Sequence, residues 1–231
     1  MMSLAFPASP STGQIYQGWR WSGTSWDPNY AANFVTSFNG RAGAVVLQPS
    51  DTTSGNRVLL KSASVSTAGP SFPFFFDFST VTQYDEFELV VYNVLMSAGT
   101  PSSFAMRISW DGSTWDATSN YAHAYSYAAS GAAGGSTGSV AVAYAAIGNS
   151  PQVSPNMVFL SVVSFFKPWS TTTYKMFMWQ NLSWAASGFY SGVGTSGYAA
   201  GPIQPIKGLL FFDIGGATLS AGTFELYGIV K

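Results

Sequence analysis

The chain has 231 residues, of which 47% are hydrophobic, 16% aromatic and only 8% charged, with a formal net charge of −1 and no cysteine. An ordinary globular domain carries about 25% charged residues, so charge is about threefold scarcer here, whereas disorder would demand few aromatics and a high net charge. The balance offers duplex nucleic acid no basic footprint, and without cysteine there is no disulfide framework, thiolate zinc site or cysteine nucleophile.

The length suits one large β domain, or a compact domain with a small appendage. No run of about 18 apolar residues occurs, so no transmembrane helix is expected. Residues 1–10 lack the cationic start and apolar core of a signal peptide, and Pro7 and Pro10 interrupt them; synthesis and folding in a cytosol are expected. Residues 6–13 read as extended and rich in Pro and Ser. Gln14-Ile15-Tyr16 and Trp19-Arg20-Trp21 read as short strands, and Trp21-Ser22-Gly23-Thr24-Ser25-Trp26 as a tight hairpin stopped by Asp27-Pro28-Asn29. A glycine relieves the positive φ of the turn while the flanking rings pack across the strands. Such a module is too short to hold a core alone. Within residues 34–47, Asn39-Gly40 is a turn signal and residues 44–47 form a short β-branched run, placing a neck up to Gly55. The expected domains are therefore a hairpin module over 1–33, a neck over 34–55 and a main domain over 56–231.

Helical periodicity is almost absent from that main domain. Strands are expected over 87–94, entered through Asp85-Glu86, and over 104–110. The segment 156–166 is nearly continuous in apolar residues, as for a strand buried on both faces. Residues 174–182 alternate well, and 206–214 and 223–230 complete the set, joined by the Gly/Ala/Ser-rich turn at 215–222. Their spacing points to an all-β fold, an antiparallel β-sandwich of the jelly-roll kind. Trp110-Asp111-Gly112-Ser113-Thr114-Trp115 repeats the Gly-centred hairpin device. Residues 131–138 have neither the lysine of a phosphate loop nor a following helix, and read as a flexible exposed loop.

Candidate chemistry is sparse. His123 is the one histidine, so a Ser-His-Asp triad would have to combine it with Ser119 or Ser126 and with Asp111 or Asp116; the strand-to-helix context of a G-x-S-x-G nucleophile elbow is missing. The carboxylates Asp111 with Asp116, and Asp85, Glu86 and Glu88, raise glycoside hydrolysis as an alternative. Asp111, however, reads as a turn residue capping its own backbone, and Glu86 and Glu88 share a strand face open to solvent or Arg107. No ligand cluster suits a metal, and no cofactor is expected. Aromatic loops beside Gly, Ser and Asn, with Trp169, Phe189-Tyr190 and Tyr198 among them, are the more suggestive feature, because sugar rings stack on aromatic faces while neutral polar groups bond their hydroxyls. Trp169, Tyr190, Tyr198, Tyr121 and His123 are the candidate glycan contacts. The alternation of Tyr121, Tyr125 and Tyr127 equally describes a strand packing on the core or a neighbouring subunit.

Ser37-Phe38-Asn39-Gly40-Arg41-Ala42-Gly43-Ala44-Val45 is similar to the FNGRxGAV motif of tail-fibre and other virion fibre proteins of bacteriophages. Residues 6–16 followed by 21–27 resemble the P-x-x-P-x-x-G-Q-x-Y…W-x-G-x-x-W module found before it. Residues 84–89 with 109–115, and the closing Gly222-Thr223-Phe224-Glu225-Leu226-Tyr227-Gly228-Ile229, resemble the strand-turn-strand and terminal SGTxxLYGI strand of their heads. The least matched part is 117–205. The resemblance implies a non-enzymatic virion protein, made in the host cytoplasm and usually homotrimeric. Its N-terminal region would attach to other virion proteins, involving Trp19, Trp21, Trp26, Phe38, Asn39, Gly40 and Arg41, and its sandwich would meet a bacterial surface glycan without membrane insertion or nucleic acid. Tail fibre, head fibre and purely structural decoration protein all stay open, and the long shaft of repeats common in such fibres is missing. Composition agrees with self-assembly: no Asp, Glu, Lys or Arg occurs between Asp116 and Lys167 or between Lys175 and Lys207, and obligate interfaces are depleted of charge.

Overall fold

The computed structural model describes residues 7–16, 19–28, 37–38, 41–42, 57–98, 102–130, 132–149, 159–185 and 188–230. Two units, Met1–Thr52 and Thr53–Lys231, each hold together by their own contacts.

In the first unit, β1 (Ile15–Tyr16), β2 (Trp19–Trp21) and β3 (Trp26–Pro28) form an antiparallel sheet in that order. The Ser22–Ser25 turn closes with Ser22 N–H donating to Ser25 O at 2.9 Å, and Gly23 takes φ +106°. Trp21 lies opposite Trp26 with ring centroids 5.6 Å apart, and Tyr16 reaches Trp26 at 6.4 Å. The hairpin and the strand before it are present as expected, but Asp27 and Pro28 do not stop it: β3 continues through Pro28, opposite Trp19. β4 (Ser37–Phe38) and β5 (Arg41–Ala42) pair with Phe38 opposite Arg41. Asn39, Gly40 and the run at 44–47 lie outside the described residues.

The second unit is the β-sandwich. Its strands are β6 (Arg57–Ser64), β7 (Ser71–Phe75), β8 (Glu86–Ala98), β9 (Ser103–Ser109), β10 (Tyr121–Ala129), β11 (Ala132–Val142), β12 (Ala145–Asn149), β13 (Phe159–Phe166), β14 (Lys175–Ala185), β15 (Gly188–Tyr198), β16 (Gly208–Asp213) and β17 (Thr218–Ile229). An eight-stranded antiparallel sheet runs β11-β10-β15-β14-β13-β8-β17-β6, and a four-stranded one runs β12-β9-β16-β7. The layers meet through phenylalanine. Phe224 of β17 lies 4.7 Å from Phe211 of β16 and 4.7 Å from Phe72 of β7, while Phe104 of β9 stacks on Phe211 at 6.0 Å. In β13, β14 and β17 alternate residues turn toward this interior over most of their length, the period that the pleat imposes.

Three expectations need correction. The segment 131–138 is not a loop: residues 132–142 are strand β11, paired to β10 from Tyr127 opposite Gly135 to His123 opposite Ser139. Small residues carry no periodic signal, so pairing with a neighbour decides the conformation. β13 is not buried on both faces. Phe159, Ser161, Val163 and Phe165 are buried, while Leu160, Val162 and Ser164 are only half-covered and Phe166 is exposed. Phe189, Tyr190 and Tyr198 lie in β15 rather than in loops. That strand is poor in β-branched residues because its glycines make room: a Cβ on Gly194 would stand 2.5 Å from Tyr125 Cβ and 2.7 Å from the Trp179 ring.

Polar side chains fasten the layers where rings do not. Ser161 Oγ donates to Ile147 O and Ser196 Oγ to Ala146 O, both at 2.6 Å, tying the large sheet to the backbone of β12. Asp111 caps the turn after β9 as read from the sequence, accepting the Ser113 and Thr114 N–H groups at 2.7 Å each. Those amides, Thr114 first, hold its carboxyl far below the usual carboxylate range. Asp213, 3% exposed, accepts Ser102 N–H at 2.8 Å and Ala217 N–H at 3.2 Å. Asp213→Ala would strand both donors, so a loss of about 2 kcal/mol is expected in urea unfolding, with Asp213→Asn in between because it keeps one acceptor.

Candidate functional site: the uncharged outer face of the large sheet

Eight strands cover more ground than four, and the alternation that fills the core turns an equal number of side chains outward. On β14 the inward series is Lys175, Phe177, Trp179, Asn181 and Ser183; the outward one is Met176, Met178, Gln180, Leu182 and Trp184. Pairing extends that outward series across the sheet. Ser126 of β10 lies beside Val193 of β15, then Gln180, Val162 of β13, Val90 of β8 and Glu225 of β17. Met176, Met178, Val193 and Trp184 are each between 52% and 61% exposed, an uncovered apolar face rather than scattered single residues.

Charge is divided sharply along this face. Glu86, Glu88, Glu225 and Arg57 gather on β8, β17 and β6, and the outward positions of β10, β11, β13, β14 and β15 carry none. The charged end satisfies itself. Arg57 pairs with Glu88 and lies 5.7 Å over the Tyr227 ring; Tyr227 and Tyr92 donate to Glu225 at 2.7 and 3.1 Å. Those bonds to a carboxylate raise both phenol pKa values. Arg107, read together with solvent as what could receive Glu86 and Glu88, donates instead to Ala143 O at 2.9 Å and stacks 4.7 Å over Phe212.

The neutral part of the face is concave. A trough of about 870 Å³ is lined by the hydroxyl and amide groups of Ser126, Ser136, Thr137, Ser164, Gln180 and Thr195 over Val162, Met178 and Val193; its one charged group, Glu88, is held by Arg57. It continues into a depression of about 480 Å³ whose walls include Leu160, Leu182 and Val193. Trp184 and Phe189 stand near its end, ring centroids 6.3 Å apart. Hydroxyls and amides over an apolar floor suit a neutral polyhydroxylated ligand, and the Leu/Trp/Phe end suits an apolar protein surface.

The five glycan candidates do not converge here. Tyr121 and Tyr198 are core residues, 0% and 1% exposed, edge-to-face at 5.2 Å. Tyr121 Oη accepts Ile108 N–H and donates to Asp116 O, and Tyr198 Oη donates to the Asp116 carboxylate. Both are packing residues that hold the turn leading into β10. Trp169 is half-buried, its indole N–H given to Tyr84 O at 2.7 Å. Tyr190 is half-buried on the inward row of β15, opposite Ser183 and Ala129. His123, also half-buried, faces inward, stacked on Tyr144 at 5.7 Å; its Nδ1 is buried without a partner, and desolvation lowers its pKa. Residues 134–138 spell G-x-S-x-G, yet Ser136 sits mid-strand on the outward face while His123 points to the other side. Of the attachment set, Trp19, Trp21 and Trp26 share the N-terminal sheet, and Phe38 and Arg41 are register partners in the β4–β5 pair. Among the described residues no three His, Asp or Glu side chains gather as a metal site.

Of the trough residues, the sequence singles out Ser126 only as a triad candidate and Val193 and Thr195 not at all, because nothing in their own strands marks the outward face. Gln180 among Met and Trp positions was the one visible signal. No protein-family model matches the chain, and no curated protein matches it in sequence.

On the inward side, Lys175 is 2% exposed, its ammonium donating to the Ser170 and Thr173 carbonyls, and desolvation brings its pKa down to about 8. The unfolded chain therefore holds a proton between pH 8 and 10.5 that the folded chain has released, so stability rises with pH through that window. Urea unfolding of wild type against Lys175→Met should show the wild type gaining on the order of 2 kcal/mol relative to the variant between pH 7 and pH 10.

Proposed function

We propose that this chain is a structural subunit of a bacteriophage virion fibre or spike, assembling with copies of itself and presenting its sandwich to a glycan on the bacterial surface. The observation that carries the reading is the outer face of the large sheet: five neighbouring strands without an outward charge, holding Met176, Met178, Leu182, Trp184 and Val193 in water. A monomer with such a face would associate with whatever it met; a subunit of a defined assembly covers it. The Leu160, Leu182, Trp184 and Phe189 end is the part assigned to contact between copies. The hydroxyl-lined trough beside it is the part assigned to the glycan, where weak sites on several linked heads sum to useful avidity. Three copies is the number that the fibre resemblance implies. The tryptophan sheet of the N-terminal unit is the part that would dock on other virion proteins. In this reading the protein works by holding and displaying.

Light scattering of the full chain at micromolar concentration should give a multiple of the 24.5 kDa chain mass. Leu182→Glu with Trp184→Glu should lower that multiple at unchanged far-UV circular dichroism, because both positions already face water. Surface polysaccharide of a susceptible bacterium should retain the assembled protein, and Gln180→Ala with Thr195→Ala should weaken retention by about tenfold, the worth of one or two hydrogen bonds. A wild type that stays monomeric would sink the reading. Assembly without glycan retention would sink its receptor half and leave a decoration protein.

A further inference from the structure

The rim strands of a sheet expose unpaired N–H and C=O groups, and proteins blunt them with charge, proline, bulges or brevity unless the rim is meant to pair. The sandwich has four rims, and three are blunted. β6 carries Arg57 and Lys61 and a register shift against β17. β7 has five residues with Pro73 in the middle. β12 has five residues and a register shift, and two of its carbonyls already accept the hydroxyls of Ser161 and Ser196. The fourth, β11, is eleven residues long and contains neither proline nor a charged side chain; between register shifts near its two ends it keeps unbroken register with β10 from Gly135 to Ser139. Residues 136–141 are exposed, Val140 at 81%, and among the described residues no strand lies on its other side.

We infer that β11 is an assembly strand that pairs antiparallel with β11 of a second copy of this chain, about a two-fold axis. The occupant follows from chemistry on both sides of the seam. Two-fold pairing sets each residue of the strand against its own neighbourhood, so any charge would meet itself; β11 has none. Its side chains over 132–139 are only Ala, Gly, Ser and Thr, so two such strands approach with nothing to clash, and serine and threonine across the seam can bond each other. Ser136, Thr137 and Gly138 also line the neutral trough, so pairing joins two troughs side by side and continues the uncharged face from one copy to the next. The inference requires self-association only and does not depend on the virion reading.

The chain has no cysteine, so single-cysteine variants report the seam directly. Opposed residues of an antiparallel pair have Cα atoms about 4.5–5.5 Å apart, within disulfide reach. Under mild oxidation of the full chain, Ser136→Cys, Thr137→Cys and Ser139→Cys should cross-link to themselves, with yield peaking at the position nearest the axis and falling away from it. Ser136→Lys should lower the mass of the assembly by about a factor of two, leaving the circular dichroism unchanged because the position is exposed. Cross-linking of Thr137→Cys to Ser62→Cys on β6 in a mixed sample, in place of self-linkage, would mean head-to-tail pairing and overturn the two-fold seam. Unchanged mass in Ser136→Lys with no self-linked cysteine would overturn the inference altogether. If Leu182→Glu with Trp184→Glu dismantles the assembly while the β11 variants are inert, this inference falls and the virion reading stands. If β11 self-links and the Leu182/Trp184 variant changes nothing, the seam stands and the apolar-face contact falls.

Discussion

The stacking of Phe224 between Phe211 and Phe72, where the large sheet meets the small one, is the contact on which the rest of the structure depends. Almost nothing else is available. With charge so scarce, no network of ion pairs can hold two sheets together, and the core relies on large apolar rings whose edge-to-face and offset contacts add direction to burial. Phe74, Phe104, Phe211 and Phe224 form one such group and Phe78, Phe87, Phe165 and Phe177 another. The polar pins, Ser161, Ser196, Asp213 and the Tyr121–Asp116–Tyr198 set, sit around these groups and satisfy backbone where the layers shift register.

A layer of eight strands against a layer of four has a functional consequence. The small sheet covers the inward side of only part of the large one, and no second layer covers the outward side among the described residues. Charge is spent at one end of that outward face, where Arg57, Glu88, Glu225, Tyr92 and Tyr227 bond one another. The other end, from β13 to β11, is left neutral, partly apolar and concave. The one carboxylate lining the concavity, Glu88, is paired with Arg57. The rest of the trough is hydroxyls, one amide and an apolar floor.

The rims carry the same message by contrast. Within a single molecule, three rim strands carry charge, proline or brevity against pairing, and β11 carries none of these. Composition makes the difference: β11 is built of the residues that leave a backbone most accessible. The unbroken register beside β10 over Gly135–Ser139 and the small side chains that make it a poor strand by propensity make it a good seam.

The sequence by itself determined that the fold is all-β. Alternating Phe, Val and Tyr runs punctuated by Gly, Ser and Pro admit no helix, and the period of two is a local property of the chain. It also determined the turns, because Ser22-Gly23 and Asp111-Gly112 close on their own backbone within four residues. Only the tertiary structure decided which of the two faces of each strand would be covered. On β14, Phe177 and Trp179 lie on one side and Met176, Met178, Leu182 and Trp184 on the other, and the side with more apolar residues is the one left facing water. Tyr121 and Tyr198 went to the core because the strands beside them brought Asp116 within reach of a phenol. The run at 132–142 became a strand because β10 had a free edge to offer it. Each of these outcomes depends on partners far along the chain, and a period-two pattern carries no record of the layer it will meet.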